Sequence, residues 1–288
     1  MNLTKIIGTS LVALSAMGTT DVKAQSSTYT RHTPKVSSPK ITYIGDLHNR
    51  KNQELASRLE QIGDRNTAIL YEQPVGHNLD GLDMRGELSY EEIRTIRKYE
   101  VFNELLAGRK GIIRTFDITG EQREEYIESS AEYTVAQELL KRFERSRRVF
   151  PSTIERDILD QYGLQTTEED AEALVYTTRS NFQEAQIRRQ EEMCEAIVDI
   201  SEDYPNTVAV VGNYHITARP EGRWKPCHAF ADSQDISYEV FLEEPVETPR
   251  LTDIILPVQQ IWVKEWASSE GYSQREIRDF MQVYQENY

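Results

Sequence analysis

Cysteine is scarce in this sequence, which limits both its cross-links and its metal chemistry. Only two cysteines occur in 288 residues, Cys194 and Cys227, so at most one intramolecular disulfide can form. An exported pair could form that bridge; the alternative is two unpaired thiols, one of them buried as a small apolar side chain. The single Cys227-His228 dipeptide does not have the repeated spacing of a zinc site, so His228 is interpreted as a surface histidine.

Positive charge is also scarce. The chain has 33 Lys and Arg against 48 Asp and Glu, a net charge of −15. An acidic surface repels phosphate groups, so nucleic acid is excluded as a predicted partner and adhesion to anionic lipid is disfavoured. A small-molecule or peptide substrate is the predicted partner, and the composition carries no information on the oligomeric state.

Long apolar runs are absent beyond the N-terminus. Residues 1–24 contain a lysine, the stretch IIGTSLVALSAMG, and then Val22 and Ala24 at the positions that a signal peptidase reads. This order is typical of a secretory signal peptide, and the apolar stretch is too short to span a bilayer. We predict cleavage near Ala24, a polar leader over 25–39 and a single α/β domain over 40–288. The mature protein is expected in the periplasm or outside the cell, without a transmembrane anchor.

Short apolar runs alternate with longer segments of helical pattern. The runs at 40–45, 67–72, 111–118 and 207–213 are rich in strand-forming residues and lack strict polar alternation, as strands buried on both faces do. Long helical crossovers between such strands favour parallel pairing. We predict an α/β fold with a mainly parallel sheet, helices on both faces and functional residues at the carboxyl ends of the strands.

Helical patterns fill most of the remaining sequence. They cover residues near 50–62, Ser89 to about 106, 119–150, 166–203 with breaks, and 276–285 after Ser273. Ser89 and Glu92 have the spacing of a capping box. Two further apolar runs, 236–242 and 253–263, are predicted as edge strands, the second interrupted by Pro257.

Two similar phrases end predicted strands with a glycine and a histidine. ITYIGDLHN contains Gly45 and His48, and VAVVGNYHI contains Gly212 and His215 at the same spacing. Ligands of open α/β sheets bind beyond the carboxyl ends of the strands. We therefore predict that both histidines belong to one site, where the two glycines let the backbone turn sharply or approach a ligand closely.

Two carboxylates also stand at strand ends. Glu72 closes the strand TAILYE, where an acidic side chain is costly without a partner. Asp117 closes the next strand and could either join the site or cap the helix that begins near Thr119. His48, Glu72 and His215 fit a metal triad with an open position. The same residues without metal could supply a general base and its orienting carboxylate.

The order GDLH, ILYEQP and VVGNYH resembles the superfamily that joins TraB and Tiki proteins, haem-binding ChaN-like proteins and erythromycin esterase-like hydrolases. The resemblance covers roughly residues 40–218, from short motifs in a matching order. It includes Arg189-Gln190-Glu191-Glu192-Met193, where many members have Arg-Asn-x-x-Met. Asp46 stands where ChaN-like members usually carry Glu, and Gln190 replaces the Asn, so the branch is left open.

The resemblance implies both the site residues and their chemistry. One branch implies a peptidase with a divalent metal, such as Mn²⁺ or Zn²⁺, another a metal-free esterase, and the ChaN-like branch a haem or iron binder. We predict an exported hydrolase-like protein, with haem binding as the leading alternative and a scaffold that keeps the motifs for packing as a third. The residues implied are the catalytic and metal-binding His48, Glu72 and His215, the oxyanion- or carboxylate-holding Arg189, and the ligand-lining Gly45, Asp46 and Gly212.

A different enzyme class shares part of this pattern. Asp46-Leu47-His48 and Gly212-Asn213 look like the Asp-x-His and Gly-Asn-His phrases of calcineurin-like metallophosphoesterases. That fold needs a Gly-Asp pair at the end of the next strand, because a bridging Asp holds its two metals. Here Gly63-Asp64 precedes that strand and Glu72 ends it. A phosphatase is therefore the weaker alternative.

Overall fold

A computed structural model of the chain describes residues 40–46, 67–74, 78–97, 111–146, 148–217, 223–242 and 251–286. The predicted signal peptide, the polar leader, the helix near 50–62 and His48 lie outside these residues. No helix in the described ranges is long and apolar enough to cross a membrane.

The chain separates into two compact units. One contains the described residues within Gly120–Arg188 and Pro249–Tyr288, and the other contains those within Met17–Thr119 and Arg189–Thr248. The sheet belongs to the second unit, as does every predicted site residue that the structure describes. The single domain over 40–288 stays a prediction.

The sheet confirms the predicted α/β class. Its strands lie in the order β3-β2-β4-β1-β5, and every neighbouring pair is parallel. The described residues of β4 are buried from Thr207 to Gly212, as a central strand covered on both faces requires. The strand bounds are β1 Ile41–Asp46, β2 Thr67–Pro74, β3 Ile112–Asp117, β4 Asn206–Gly212 and β5 Tyr238–Phe241.

Strand register brings the carboxyl ends of the central strands to one edge of the sheet. Gly45 pairs with Val211, and Asp46 pairs with Gly212 across β1 and β4. On the other side of β4, Tyr71 of β2 pairs with Val210. Glu72, the next residue, therefore lies close to the level of Val211 and Gly212 in β4. Parallel pairing therefore places the two glycine phrases and Glu72 at this edge, which we call the carboxyl edge.

Helices cover both faces of the sheet. On one face, Ile197 of helix α4 (Glu168–Glu202) belongs to the same buried cluster as Leu70 of β2. On the opposite face, Ile96 of helix α1 (Tyr90–Ile96) joins a second buried cluster. The described helices of the chain, besides α1 and α4, are α2 Gly120–Arg145, α3 Thr153–Gln161, α5 Asn213–Ile216, α6 Cys227–Ser233, α7 Leu251–Ser269 and α8 Gln274–Glu286.

Local sequence signals account for several helix starts. Ser89 and Glu92 form the predicted capping box, each side chain meeting the other residue's backbone N–H. Ser273 and Glu276 make the same reciprocal contacts before α8. A third capping box, Ser152 with Glu155, begins α3, a helix that the sequence analysis missed although the Ser-x-x-Glu spacing was present.

Two element predictions were wrong. Residues 253–263 form part of α7 instead of an edge strand. A short apolar run cannot distinguish strand from helix by itself. Trp262 and Trp266, four positions apart on this helix, are both buried. Helix α4 is continuous over 35 residues, without the predicted breaks. The other predicted edge strand is confirmed as β5.

A disulfide joins Cys194 of α4 to Cys227, the first residue of α6. This settles the alternative that the sequence left open between one bridge and two thiols. Both residues are fully buried in the cluster beneath the sheet. The cysteines are 33 positions apart in the sequence, and chain-entropy models attribute about 3–4 kcal/mol of stabilisation to such a bridge.

The unit with Gly120–Arg188 and Pro249–Tyr288, which we call the helical unit, contains a buried acid, Glu132 of α2. Its carboxylate accepts hydrogen bonds from Tyr162 Oη at 2.7 Å and from Gln161 Nε2 at 3.2 Å. Burial raises the pKa of Glu132 above its ordinary 4.5, and the nearby Glu270 adds to this, while the two hydrogen bonds oppose it. At a pH between the unfolded and the folded pKa, the folded protein therefore binds a proton at Glu132 that the unfolded chain has released.

This raised pKa predicts a pH-dependent effect of Glu132→Gln. Folded Glu132 binds more protons than the unfolded residue above pH 4.5, so its contribution to the free energy of unfolding falls as pH rises toward the folded pKa. Glu132→Gln should gain stability relative to wild type as pH rises from 4.5 toward the folded pKa of Glu132, measured as urea midpoints. Tyr162→Phe removes a hydrogen bond that lowers the pKa of Glu132. In this variant the loss of stability with rising pH should therefore extend to higher pH than in the wild type. A difference between Glu132→Gln and wild type that stays constant with pH would contradict the assignment.

Candidate functional site

Glu72 is the centre of a buried polar cluster at the carboxyl edge of the sheet. Its side chain extends from the end of β2 and is 2% exposed. Oε2 accepts the backbone N–H of Gly212 at 2.8 Å, and Oε1 accepts Arg189 Nη2 at 2.9 Å. His215 Nε2 lies 3.3 Å from the same Oε1. These contacts compensate the burial of a carboxylate that would otherwise be strongly unfavourable.

Arg189 joins Glu72 to a second carboxylate. The guanidinium extends from α4 and is 4% exposed, and its Nε donates to Asp117 Oδ1 at 2.9 Å. Arg189 Nη2 lies 3.2 Å from Asp117 Oδ2, which gives Asp117 a two-pronged contact with the guanidinium. Asp117 Oδ1 also accepts the N–H of Ile118. Of the two roles considered for Asp117, the structure places it in the cluster.

The charges of these three groups do not cancel. Two carboxylates and one guanidinium sum to a net charge of −1 in a buried setting. Buried ions are tolerated when they are paired. His215 is a further described group beside Glu72, with its Nε2 3.3 Å from Oε1.

His215 is held from its other side by Gln190. Gln190 Nε2 donates to the backbone oxygens of His215 at 2.9 Å and of Lys225 at 3.0 Å. Because the amide nitrogen donates to two carbonyls, the amide oxygen is the atom that contacts His215 Nδ1. Nδ1 must therefore carry a proton, since two acceptors in contact would repel. The ring is oriented so that Nε2 faces Glu72.

The two glycines have different physical roles. A Cβ added to Gly45 would lie 1.7 Å from Asn213 Oδ1, so only glycine permits this approach of β1 to the first residue of α5. Gly212 has φ −55° and ψ 138°, a conformation open to any residue, and it contributes its N–H to Glu72. The group that approaches Gly45 closely is therefore the side chain of Asn213.

Aromatic rings stand beside His215. Trp224 packs edge-on against Tyr214, with ring centroids 4.4 Å apart, and its centroid is 6.1 Å from that of His215. Tyr214 itself meets His215 edge-on at 5.5 Å. Such contacts restrict the imidazole and exclude water from one side of it. Trp224 was placed near the site by its position in the sequence and was interpreted as a packing residue. Tyr214 carries no motif that distinguishes it from a core aromatic and was not assigned to the site.

The structure brings together Glu72, His215, Arg189 and Asp117, which come from four separate segments. Gly45 and Gly212 lie beside them, and Asp46 ends β1 opposite Gly212. The predicted third ligand, His48, lies outside the described residues. Within those residues, no group of three or more His, Cys, Asp or Glu side chains could hold a metal ion. Of the three predicted ligands, the structure therefore describes Glu72 and His215, with His215 Nε2 3.3 Å from Glu72 Oε1.

Comparisons with known proteins add no assignment. The chain matches no protein-family model, no curated protein and no solved structure. The resemblance to the TraB, ChaN and erythromycin esterase-like superfamily therefore stays an interpretation of the motifs.

Proposed function

We propose that this protein is an exported hydrolase that uses a divalent metal ion, with Glu72 and His215 as ligands. One observation carries the proposal: Gln190 Oε1 contacts His215 Nδ1, while Nε2 is directed at Glu72 Oε1 from 3.3 Å. Histidines that bind metals commonly donate their other ring N–H to an oxygen of the protein, which fixes the tautomer. Here Gln190 Oε1 is the oxygen that accepts from the second ring nitrogen.

The distance between the two described donors is compatible with a shared metal ion. Nitrogen and carboxylate ligands lie about 2.0–2.2 Å from Zn²⁺, so two ligands of one ion can be no more than about 4.4 Å apart. The 3.3 Å between His215 Nε2 and Glu72 Oε1 satisfies this limit. When bound, a divalent ion of this type polarises a carbonyl and lowers the pKa of water.

The protein's own groups would orient these ligands. Arg189 and the Gly212 N–H hold the two oxygens of Glu72, and Asp117 holds Arg189 in turn. Arg189 thus serves as the carboxylate-holding group, one of the two roles that the resemblance implies. His48 is the proposed third ligand, on the basis of its matching Gly-x-x-His phrase. A peptide or ester is the proposed substrate, because both hydrolytic branches of the resemblance act on acyl bonds.

The metal-free alternative has less support. A histidine base needs one ring nitrogen to exchange a proton with the substrate or water, while the other is oriented by a carboxylate. In this structure Gln190 contacts Nδ1, and Glu72 faces Nε2. Haem ligation through His215 has less support for a related reason, because the side chain is 7% exposed and its Nε2 is directed at a carboxylate.

The proposal is tested with purified mature protein and a panel of peptide, ester and phosphoester substrates. We expect hydrolysis of a peptide or ester that is lost in EDTA and restored by Mn²⁺ or Zn²⁺. Activity that is indifferent to EDTA would support the metal-free route instead. Activity confined to phosphoesters would support the phosphatase alternative. A haem-type absorption band on adding haemin, lost in His215→Ala, would support the iron-binding alternative.

Export makes a separate prediction. If the signal peptide is cleaved near Ala24, N-terminal sequencing of protein recovered from the periplasm or medium should begin at Gln25. An uncleaved N-terminus at Met1 in the recovered protein would contradict export by this route.

A further inference from the structure

We propose that Gln190 is a positioning residue that keeps the ring proton of His215 on Nδ1, and that the Cys194–Cys227 disulfide braces Gln190 for this task. The proposal rests on the proposed function, because the tautomer decides whether Nε2 can offer a lone pair to a cation. Gln190 touches neither substrate nor metal in this scheme. It acts through His215 alone.

The amide of Gln190 is fixed by three contacts with two segments. Its nitrogen donates to the backbone oxygens of His215 and Lys225, and its oxygen receives the proton of His215 Nδ1. Rotating the amide by half a turn would bring its oxygen against two carbonyl oxygens and its NH₂ against Nδ1. The two backbone acceptors therefore determine which end of the amide meets the imidazole.

This orientation matters because two acceptors compete for the proton of a neutral imidazole. Glu72 Oε1 is the competitor, 3.3 Å from Nε2. A carboxylate is a stronger acceptor than an amide oxygen, so an unrestrained neutral ring would place its proton on Nε2. That tautomer points a hydrogen at Glu72 and gives a cation no lone pair. Gln190 opposes that tautomer, because an Nδ1 without a proton would meet the amide oxygen at closer range than Nε2 meets Glu72.

The disulfide connects the two segments on which the Gln190 amide depends. Cys194 lies four residues after Gln190 on α4, which puts both side chains on one face of the helix. Cys227 lies two residues after Lys225, whose carbonyl is one of the acceptors. Cys227 Sγ is 3.7 Å from Gln190 Nε2. The bridge therefore restrains the distance between the Gln190 turn of α4 and the segment at Lys225.

The test is the tautomer of His215 itself, read from the imidazole ¹⁵N resonances. The chain has five histidines, and His215→Gln identifies the resonances that belong to this ring. EDTA-treated protein with ¹⁵N-labelled histidine is measured at a pH where the ring is neutral. We expect the proton on Nδ1 in wild type and on Nε2 in Gln190→Met, which keeps the length of the side chain and removes its polar atoms.

The same variant should bind metal more weakly. Loss of an outer partner of a metal-binding histidine typically lowers affinity about 10–100-fold, and titration with Zn²⁺ alone measures this. A proton on Nε2 in wild type, or on Nδ1 in folded Gln190→Met, would overturn the role of Gln190.

The disulfide is tested with the double variant Cys194→Ala/Cys227→Ala. We expect a share of its His215 rings to carry the proton on Nε2, with weaker Zn²⁺ binding. Leu139→Ala, in the buried core of the helical unit, is the control for loss of stability alone and should keep the proton on Nδ1. A double variant with the wild-type tautomer would remove the disulfide from the proposal.

These readouts separate the two proposals. An Nδ1 proton in wild type that moves in Gln190→Met, together with no binding of Zn²⁺, would refute the metal-dependent function and leave the positioning of His215 intact. Zn²⁺ binding and EDTA-sensitive hydrolysis with an unchanged tautomer in Gln190→Met would refute the positioning role alone.

Discussion

Glu72→Gln is expected to lower metal-dependent hydrolysis at least about 100-fold, since it removes a direct ligand and even outer partners account for 10–100-fold. The amide would keep one oxygen for either Arg189 or the Gly212 N–H and would turn its NH₂ toward the other donor. We therefore also expect a loss of about 1–3 kcal/mol in the free energy of unfolding. Metal content after dialysis, activity and urea denaturation measure the three effects.

Glu155→Gln is the matched control for this variant. Glu155 is fully buried, and its carboxylate accepts from Arg142 at 2.7 Å and from the backbone N–H of Ser152 at 2.6 Å. It therefore pairs a buried carboxylate with one arginine and one amide, as at Glu72, but in the helical unit. Glu155→Gln should lose comparable stability and keep its metal and activity. Equal metal retention in both variants would assign Glu72 a structural role only.

Arg189→Met is expected to destabilise the protein more than any other substitution in the cluster. It leaves Glu72 and Asp117 buried at 2% and 3% exposure without their shared guanidinium. Removing one partner of a buried ion pair typically costs about 3–5 kcal/mol, because an uncompensated charge stays behind. Urea denaturation with a check of the m-value measures the change. Arg189→Lys keeps the charge but cannot reproduce the two-pronged contact, so it should fall between wild type and Arg189→Met.

A double-mutant cycle identifies the cause of this loss. Asp117→Asn in the Arg189→Met background removes one of the two uncompensated charges and should recover part of the stability. The two substitutions should therefore be strongly non-additive, as residues in direct contact are. Additive effects would show that the ion pair contributes little and that the loss arises from packing of the long arginine side chain.

The sequence by itself determined the class of fold. The strands at 67–72 and 207–213 could be predicted because burial on both faces requires continuous runs of apolar, strand-forming residues. The capping box at Ser89 was also predictable, since it depends on residues only three positions apart. The helical structure of residues 253–263 was not predictable, because an apolar run of that length is compatible with a strand or a helix. The choice depends on what the rest of the protein packs against it.

For the candidate site, the sequence could place residues at strand ends but could not pair them. The location of Glu72 and His215 at one edge of the sheet was predictable, because the carboxyl ends of parallel strands share that edge. The contacts themselves depend on strand register and on the rotation of α4 about its axis, and neither can be predicted from a local sequence pattern. Tertiary structure decided that Asp117 binds Arg189, that Gln190 orients His215, and that Cys194 meets Cys227. Each pairing joins residues far apart in the chain, or on different elements, and becomes available only when the folded sheet and helix bring them within contact distance.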